Sequence, residues 1–568
     1  MDTSPIDAAL DVLEANKARW ARLPVATKIH ILDGIRERVG TVARAWVEAA
    51  TGAKQIPPAS QLVGEEWTSG PYALAAAAAA LADTLRHIDE GTPVLEGFST
   101  RTLPNGQIAV KVFPASAEDR LFLSAHTAEV WMQPGVEEAD LRQSAASFYR
   151  NAEPDGSVAL VLGAGNIASI APLDVLTELF NYGAVTVVKL NPVNAYLGPF
   201  LEEAFGQLID GGFVRFVYGG TEEGVYVTRH RLVEHIHVTG AGRTHDAIVY
   251  GMGSEGERRK VADEPVIATP VTAELGGVGP TIVVGGRWSD ADLRYQAEHI
   301  MSQKLHNHGF NCIACQVLVL PEEWDQAEDL LDAMRGVVSE VGDRGAYYPG
   351  ILDRHALAAE SHGSAQVLTN GSGPVTFITN LDPSMSDDVC FTTEFFGAVL
   401  GVVRLPGADT ATYLDHAVAF ANDTLDGNLG ANLIIHPATA KQDADALEKA
   451  IGNLRYGTIA VNTWVGVAFA INRATWGAFP GNPRNNISSG TGVVHNSLML
   501  ERTERSVVRG AFAPFPRTLR QGVIHTEPTP PFFVTNRQAA HLGELLTEAV
   551  VSGSRKNMPA IVATAMRG

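Results

Sequence analysis

The chain has 568 residues, 45% hydrophobic and 19% charged, an ordinary globular composition with room for several domains. Lys+Arg 43 against Asp+Glu 64 leaves a formal net charge of −21, which disfavours nucleic acid or an anionic membrane as the main partner and favours a small-molecule substrate. Three cysteines build no disulfide framework, and no stretch reads as a signal or lipid-spanning segment, so the expectation is a reduced, cytoplasmic protein.

Residues 5–50 carry apolar positions at helical spacing, and the Ala-rich run 72–88 reads as a further helix whose small side chains allow close packing. From Gly91 the pattern changes to strands at 107–113 and 129–132, before a helix over 139–149. Strand and helix then alternate, with strands expected at 158–162, 185–189, 214–218 and 235–238. Such alternation predicts parallel strands covered by helices. Gly163-x-Gly165-x-x-Ala168 matches the dinucleotide fingerprint literally, yet the second strand ends in Lys189 where the fingerprint wants an acid. Taken alone, those glycines mark a tight strand-to-helix turn.

Ser289, followed by Asp290 and Asp292, predicts the start of a helix that runs to Gly309, and 316–320 is an apolar run of strand length ended by Pro321. Cys312 lies on the connector, where a side chain can be held still and remain reachable. Three readings of this stretch compete. Cys312 and Cys315 could be small core hydrophobes. His306, His308, Cys312 and Cys315 could ligate a metal, but no second pair follows at zinc spacing, so no metal is expected. Cys312 could be a nucleophile, provided that the rest of the chain supplies a base, an oxyanion donor and a cofactor site.

Those pieces occur in order. Asn166 follows the first strand of the alternating run, Lys189-x-x-Pro192 ends the second, Gly220-x-x-x-Gly224 follows the third and Thr239-Gly240 the fourth. Glu274-Leu275-Gly276-Gly277, Gly309-x-x-Cys312 and Glu394-x-Phe396-Gly397 come next, with Asn462-Thr463-Trp464 beyond. Together they resemble the aldehyde dehydrogenase superfamily over most of residues 10–510. The resemblance implies an α/β fold of two parallel-sheet domains with a small β oligomerisation arm. Residues 1–113 and 156–272 would form the nicotinamide-cofactor domain and 273–466 the catalytic domain. Segments 114–155 and 467–512 would form the arm of a homodimer or homotetramer.

It also implies roles. Cys312 would attack the aldehyde carbon, and the Asn166 amide with the Cys312 backbone N–H would hold the resulting oxyanion. Glu274 would activate water against the thioester. Lys189 would lie near the adenosine ribose, Glu394 on the nicotinamide ribose and Phe396 beside the ring, with Gly220, Gly224 and Gly240 lining the cofactor. NAD or NADP is implied, with an aldehyde as substrate. A CoA-acylating or acyl-reducing relative is the nearest alternative, against which Glu274 speaks; a catalytically silent scaffold is the more distant one.

Several positions depart from the family pattern. Gly165 precedes Asn166 where many relatives have an aromatic residue, and Ala241 follows Gly240 where many have serine, thinning the support for a pyrophosphate. Asn191-Pro192 replaces an acid after Lys189, which leaves NAD against NADP open. Phe310 stands where glutamine is common. A charged segment at 253–270 and a Gly/Pro/Asn-rich stretch at 467–492 are additions that could shape a substrate mouth or a subunit contact. Residues 513–568 extend past the family's usual end, with a helix expected from Asn536 through Val551; they would either dock on a neighbouring subunit or cover the active-site mouth.

Overall fold

The computed structural model describes residues 2–116, 119, 125–342, 344–369, 373–520, 525 and 527–568. Part of the expected 114–155 arm and part of the 513–568 extension lie outside those residues.

Two sheets organise the chain. The smaller has six strands, in the order Gly490–Thr491, Val271–Leu275, His235–Gly240, Val158–Leu162, Val185–Lys189 and Val214–Val217. All neighbours in it are parallel except the first pair. Its inner strands are nearly continuous Val, Ile, Leu and Ala because helices cover both faces. The N-terminal helices Ser4–Ala21 and Val25–Ala53 supply part of that cover, with Trp20 buried and donating from Nε1 to the Leu179 carbonyl at 3.0 Å.

The larger sheet has eleven strands. Its parallel centre runs Thr503–Arg509, Thr458–Val461, Gly430–Ile435, Pro280–Val284, Val317–Pro321, Val399–Leu405 and Pro374–Leu381. Antiparallel strands finish both edges: Thr100–Thr102, Ile108–Phe113 and Thr127–Met132 on one side, Ala365–Thr369 on the other. The strands at 100–113, expected with the cofactor unit, therefore belong to this sheet. Register explains it: Ala109 faces Trp131, and Glu129 in turn faces Val507. That ladder also brings the 114–155 and 467–512 segments together. Conversely, Val271–Leu275 and Gly490–Thr491 belong to the small sheet, which moves the expected division at 272/273 to beyond Leu275.

The helix over 139–149 is broken. It spans Glu138–Ser144, and Ala146 at φ 57° turns the chain before a short 3₁₀ turn at Ser147–Arg150. The Ala-rich helix is found at Ala73–Asp89. Among the described residues, no helix is long and apolar enough to cross a membrane.

The C-terminal segment folds back on its own chain. Helix Ala539–Ser552 lies against Val63–Trp67, so closely that a Cβ on Gly64 would overlap the Ala539 backbone. Asn536 does not open that helix as expected; its Oδ1 accepts from Gln538 N at 2.8 Å in a turn just ahead of it. Phe533 stacks on His299, and Phe532 meets Trp464 with ring centroids 5.4 Å apart.

Candidate active site

Glu274 sits near the carboxyl end of Val271–Leu275, the outermost parallel strand of the small sheet. Its side chain is buried, and Oε1 accepts a hydrogen bond from Trp476 Nε1 at 3.3 Å. Burial pushes the carboxyl up to about 8, the Asp174 carboxylate adds to that, and the hydrogen bond from Trp476 pulls it partly back.

Cys312 arrives from the other sheet. Helix Asp290–Leu305 is capped by the Ser289 hydroxyl, which accepts from Asp292 N at 3.2 Å. It ends at Leu305, earlier than expected, because Asn307, His308 and Gly309 are all left-handed, with φ of 52°, 55° and 75°. Two of those three residues carry side chains that disfavour the conformation, so other contacts must hold it. Asn307 Nδ2 donates to the carbonyls of Phe310 at 2.9 Å and Asn166 at 3.1 Å, and its backbone N–H donates to Glu65 Oε2 at 2.9 Å. Glu65 is itself paired with Arg344 at 2.7 Å. Tyr347 donates from its hydroxyl to the Asn166 carbonyl at 3.2 Å.

Asn166 is buried, and one N–H of its amide goes to the Phe310 carbonyl at 3.1 Å, two residues before Cys312 in the same loop. The Cys312 thiol donates to Asn311 Oδ1 at 3.9 Å, and the Glu274 carboxyl faces it. Burial pushes the thiol well above its ordinary range, and the Glu274 and Glu394 carboxylates push it further. Cys312, Glu274 and Asn166 thus converge from three distant segments.

The residues expected to hold a cofactor fall into two groups. Lys189 is buried, its Nζ donating to the Gly219 carbonyl at 2.7 Å, and burial lowers its pKa. Gly220 opens helix Thr221–Thr228, and its N–H donates to Glu223 Oε2 at 2.7 Å. A Cβ added at Gly224 or Gly240 would meet nothing, so the two present open backbone. The second group lies beside Cys312. The Glu394 carboxyl occupies the space where a Gly276 Cβ would be, its Oε1 is buried without a hydrogen-bond partner, and burial together with Glu274 raises it to about 8. Phe396 has φ 44° and packs edge-on to Tyr348 at 4.8 Å. An open bed of glycine backbone beside a lysine, and an orphaned acceptor near the thiol, fit a ligand with hydroxyls and phosphates.

Other positions resolve differently. Cys315 and Cys390 are buried, whereas Cys312 is partly accessible. His306 packs on Trp464 at 5.0 Å, and His308 and Phe310 join an aromatic cluster with Tyr347, Tyr348 and Phe396. Gly165 has a steric reason to lack a side chain, since a Cβ there would lie 2.8 Å from the Asn191 amide. The two added segments hold each other: helix Gly253–Ala262 is followed by Asp263, which accepts from Arg484 at 2.9 and 3.0 Å.

Sequence reasoning missed Trp476, Glu223, Asn307 and Tyr347. Trp476 had a signal, the one tryptophan of the Gly/Pro/Asn-rich stretch 467–492. Glu223, inside the Gly220-x-x-x-Gly224 motif, places a carboxylate beside Lys189 that the residues just after Lys189 do not supply.

Residues 124–347 match the profile of the aldehyde dehydrogenase family. The chain also resembles solved structures over most of its length. An NADP-dependent glyceraldehyde-3-phosphate dehydrogenase from Bacillus halodurans, complexed with NADP, is 17% identical, with 90% of this chain and 92% of that chain covered at a TM-score of 0.58. An oxidoreductase from Marinobacter aquaeolei is 18% identical, with coverage of 90% and 91% and a TM-score of 0.57. An NAD-dependent aldehyde dehydrogenase from Sinorhizobium meliloti is 15% identical, with coverage of 91% and 88% and a TM-score of 0.57.

Proposed function

We propose that the chain is an aldehyde dehydrogenase that oxidises an aldehyde to a carboxylic acid with NAD or NADP through a thioacyl enzyme, a reading supported by the match of residues 124–347 to that family's profile. The observation that carries this reading is that the buried Glu274 carboxyl faces the Cys312 thiol closely enough to push that thiol further up, the two groups arriving from segments attached to different sheets.

A thiol held well above its ordinary range is not the thiolate that attacks a carbonyl, so its proton must leave as the sulfur–carbon bond forms. Glu274, with its carboxyl raised to about 8 and in contact with the sulfur, is the acceptor at hand. The oxyanion that develops lies within reach of the Asn166 amide, whose second N–H is not used by Phe310, and of the Cys312 backbone N–H. A bound nicotinamide would supply the hydride acceptor for the carbon attached to the Cys312 sulfur. Glu274 releases the thiol's proton to solvent, then takes a proton from water as that water attacks the thioester and passes it to the leaving sulfur, which frees the acid and the Cys312 thiol. Lys189, Gly220, Gly224 and Gly240 would hold the adenosine and phosphate end of the cofactor, while Glu394 would accept from a ribose hydroxyl and Phe396 would flank the ring. The carboxylate of Glu223 beside Lys189 repels a 2′-phosphate and favours NAD.

Stopped-flow mixing with an aldehyde panel and each nicotinamide tests this. A burst of reduced cofactor, followed by turnover that needs no coenzyme A, is expected. In Glu274→Gln the burst should slow and the steady-state phase should be lost. Turnover dependent on coenzyme A would replace hydrolysis by acyl transfer, and unchanged turnover in Glu274→Gln would remove the assigned base. No reaction with any aldehyde, combined with no preference of iodoacetamide for Cys312 over Cys390, would make the chain a silent scaffold.

A further inference from the structure

Away from the catalytic thiol, His362, Asp388 and Cys390 bring an imidazole nitrogen, a carboxylate oxygen and a sulfur within 4.8 Å of one another. No role in the aldehyde reaction uses them. His362 follows helix Ile351–Ser361, and Asp388 caps the short turn Val389–Thr392 that carries Cys390. His362 Nε2 lies 3.0 and 3.2 Å from the two Asp388 oxygens, and the Cys390 backbone N–H donates to Asp388 Oδ1 at 2.8 Å, which sets the sulfur beside the same carboxylate. Cys390 is buried, while His362 and Asp388 each keep 14% of the side chain accessible, enough for an ion to reach them.

The hydrogen bonds fix which nitrogen faces the cluster. His362 Nδ1 is 3.1 Å from the Ala358 carbonyl, which can only accept, so Nδ1 carries a proton. A neutral imidazole then presents the bare lone pair of Nε2 to a carboxylate, two acceptors face to face. That arrangement requires a cation between them, either a second proton or a metal ion. A histidine whose far nitrogen donates to a backbone carbonyl is the orientation that metal sites use. The cysteine sulfur beside the pair is what a protonated ion pair would not need.

We infer that His362 Nε2, Asp388 and Cys390 Sγ form a zinc site, with the fourth tetrahedral position left to water. One nitrogen, one oxygen and one sulfur are a borderline donor set that suits Zn²⁺ and not the hard ions Mg²⁺ or Ca²⁺. Binding releases the Cys390 thiol proton to solvent, and no electron is transferred. The site's consequence lies in the segment it anchors. Arg354, on the helix before His362, donates to the Phe395 carbonyl at 2.5 Å and to the Phe396 carbonyl at 3.2 Å. Gln316 holds the same segment through Thr393 O and Phe395 N at 2.6 and 2.8 Å. An ion on Asp388 and Cys390 would add a third tie to the strip of chain that bears Glu394 and Phe396.

The test uses the full chain in a Cys312→Ser background, so that the reactive thiol cannot bind metal, after dialysis against a chelator. Titration with Zn²⁺ by calorimetry, and with Co²⁺ by visible absorption, should give about one ion per chain, tetrahedral cobalt bands and a sulfur-to-cobalt charge-transfer band. Cys390→Ser should remove the charge-transfer band, and His362→Ala should weaken Zn²⁺ binding beyond the roughly 100-fold that loss of an outer partner costs. Cys315→Ser should change neither. Equal Zn²⁺ affinity in wild type, Cys390→Ser and His362→Ala overturns the proposal, as does no binding by the parent protein, which leaves a protonated ion pair. Should Cys390→Ser fail to fold, Asp388→Asn carries the same reading through loss of affinity. None of these outcomes depends on the aldehyde reaction.

Discussion

In the proposed reaction Glu274 is the base, and with Glu394 it is one of two carboxyls at the site raised to about 8. A general base works only when deprotonated, and with the carboxyl at about 8 a large share of the enzyme at neutral pH holds it protonated. Turnover should therefore rise with pH through about 8, and Glu274→Gln should both flatten that rise and lower kcat by roughly 10²- to 10⁴-fold. A pH–rate profile of the two proteins checks it. Asn166→Ala removes one oxyanion donor and should lower kcat by about 10²- to 10³-fold, with iodoacetamide labelling of Cys312 retained as proof that the loop is intact. These side chains were legible in the sequence because each sits in a short motif at the end of a recognisable element. Trp476 and Tyr347 were not, because each reaches the site from an irregular segment through packing that no local pattern encodes.

At the scale of elements, the loop after Leu305 decides where the sulfur stands. A Cβ on Gly309 would overlap the Gly397 carbonyl, and at φ 75° any L side chain is strained besides. Gly309→Ala should destabilise the fold by about 1–3 kcal/mol and reduce labelling of Cys312, read by urea denaturation and mass spectrometry. The helix before this loop was legible at its start, where Ser289 and two acids make a cap. Its end was not, since Asn307 and His308 turn left-handed through bonds to Asn166, Phe310 and Glu65, residues remote in sequence. The break at Ala146 has the same character: its N–H bonds to the Met499 carbonyl, far along the chain. The parallel strands of the small sheet were plain because burial on both faces leaves a continuous apolar run.

At the scale of the whole molecule, two sheets share one site. Glu274 comes with the small sheet and Cys312 with the large one, so anything that shifts one against the other changes the chemistry before it changes the fold. Which sheet took the strands at 100–113 could not be read locally, because antiparallel pairing with Thr127–Met132 and Thr503–Arg509 depends on partners up to the far end of the chain. The role of residues 513–568 was equally hidden. They seat Ala513 and Val534 in the buried cluster that holds Val283, Leu293 and Ile300. Truncation after Gly510 should lower the denaturation midpoint and shift the protein toward aggregates in sedimentation, because it bares that apolar surface.

The contact between Gly64 and Ala539 joins points separated by most of the polypeptide. During synthesis, residues 63–67 emerge from the ribosome long before 539–552 exist to cover them, and Phe533 cannot reach His299 until then. Cys312 is thus made early and braced late. Over that interval the nascent chain depends on chaperones or on speed, and its window of vulnerability closes only when helix 539–552 clears the exit tunnel.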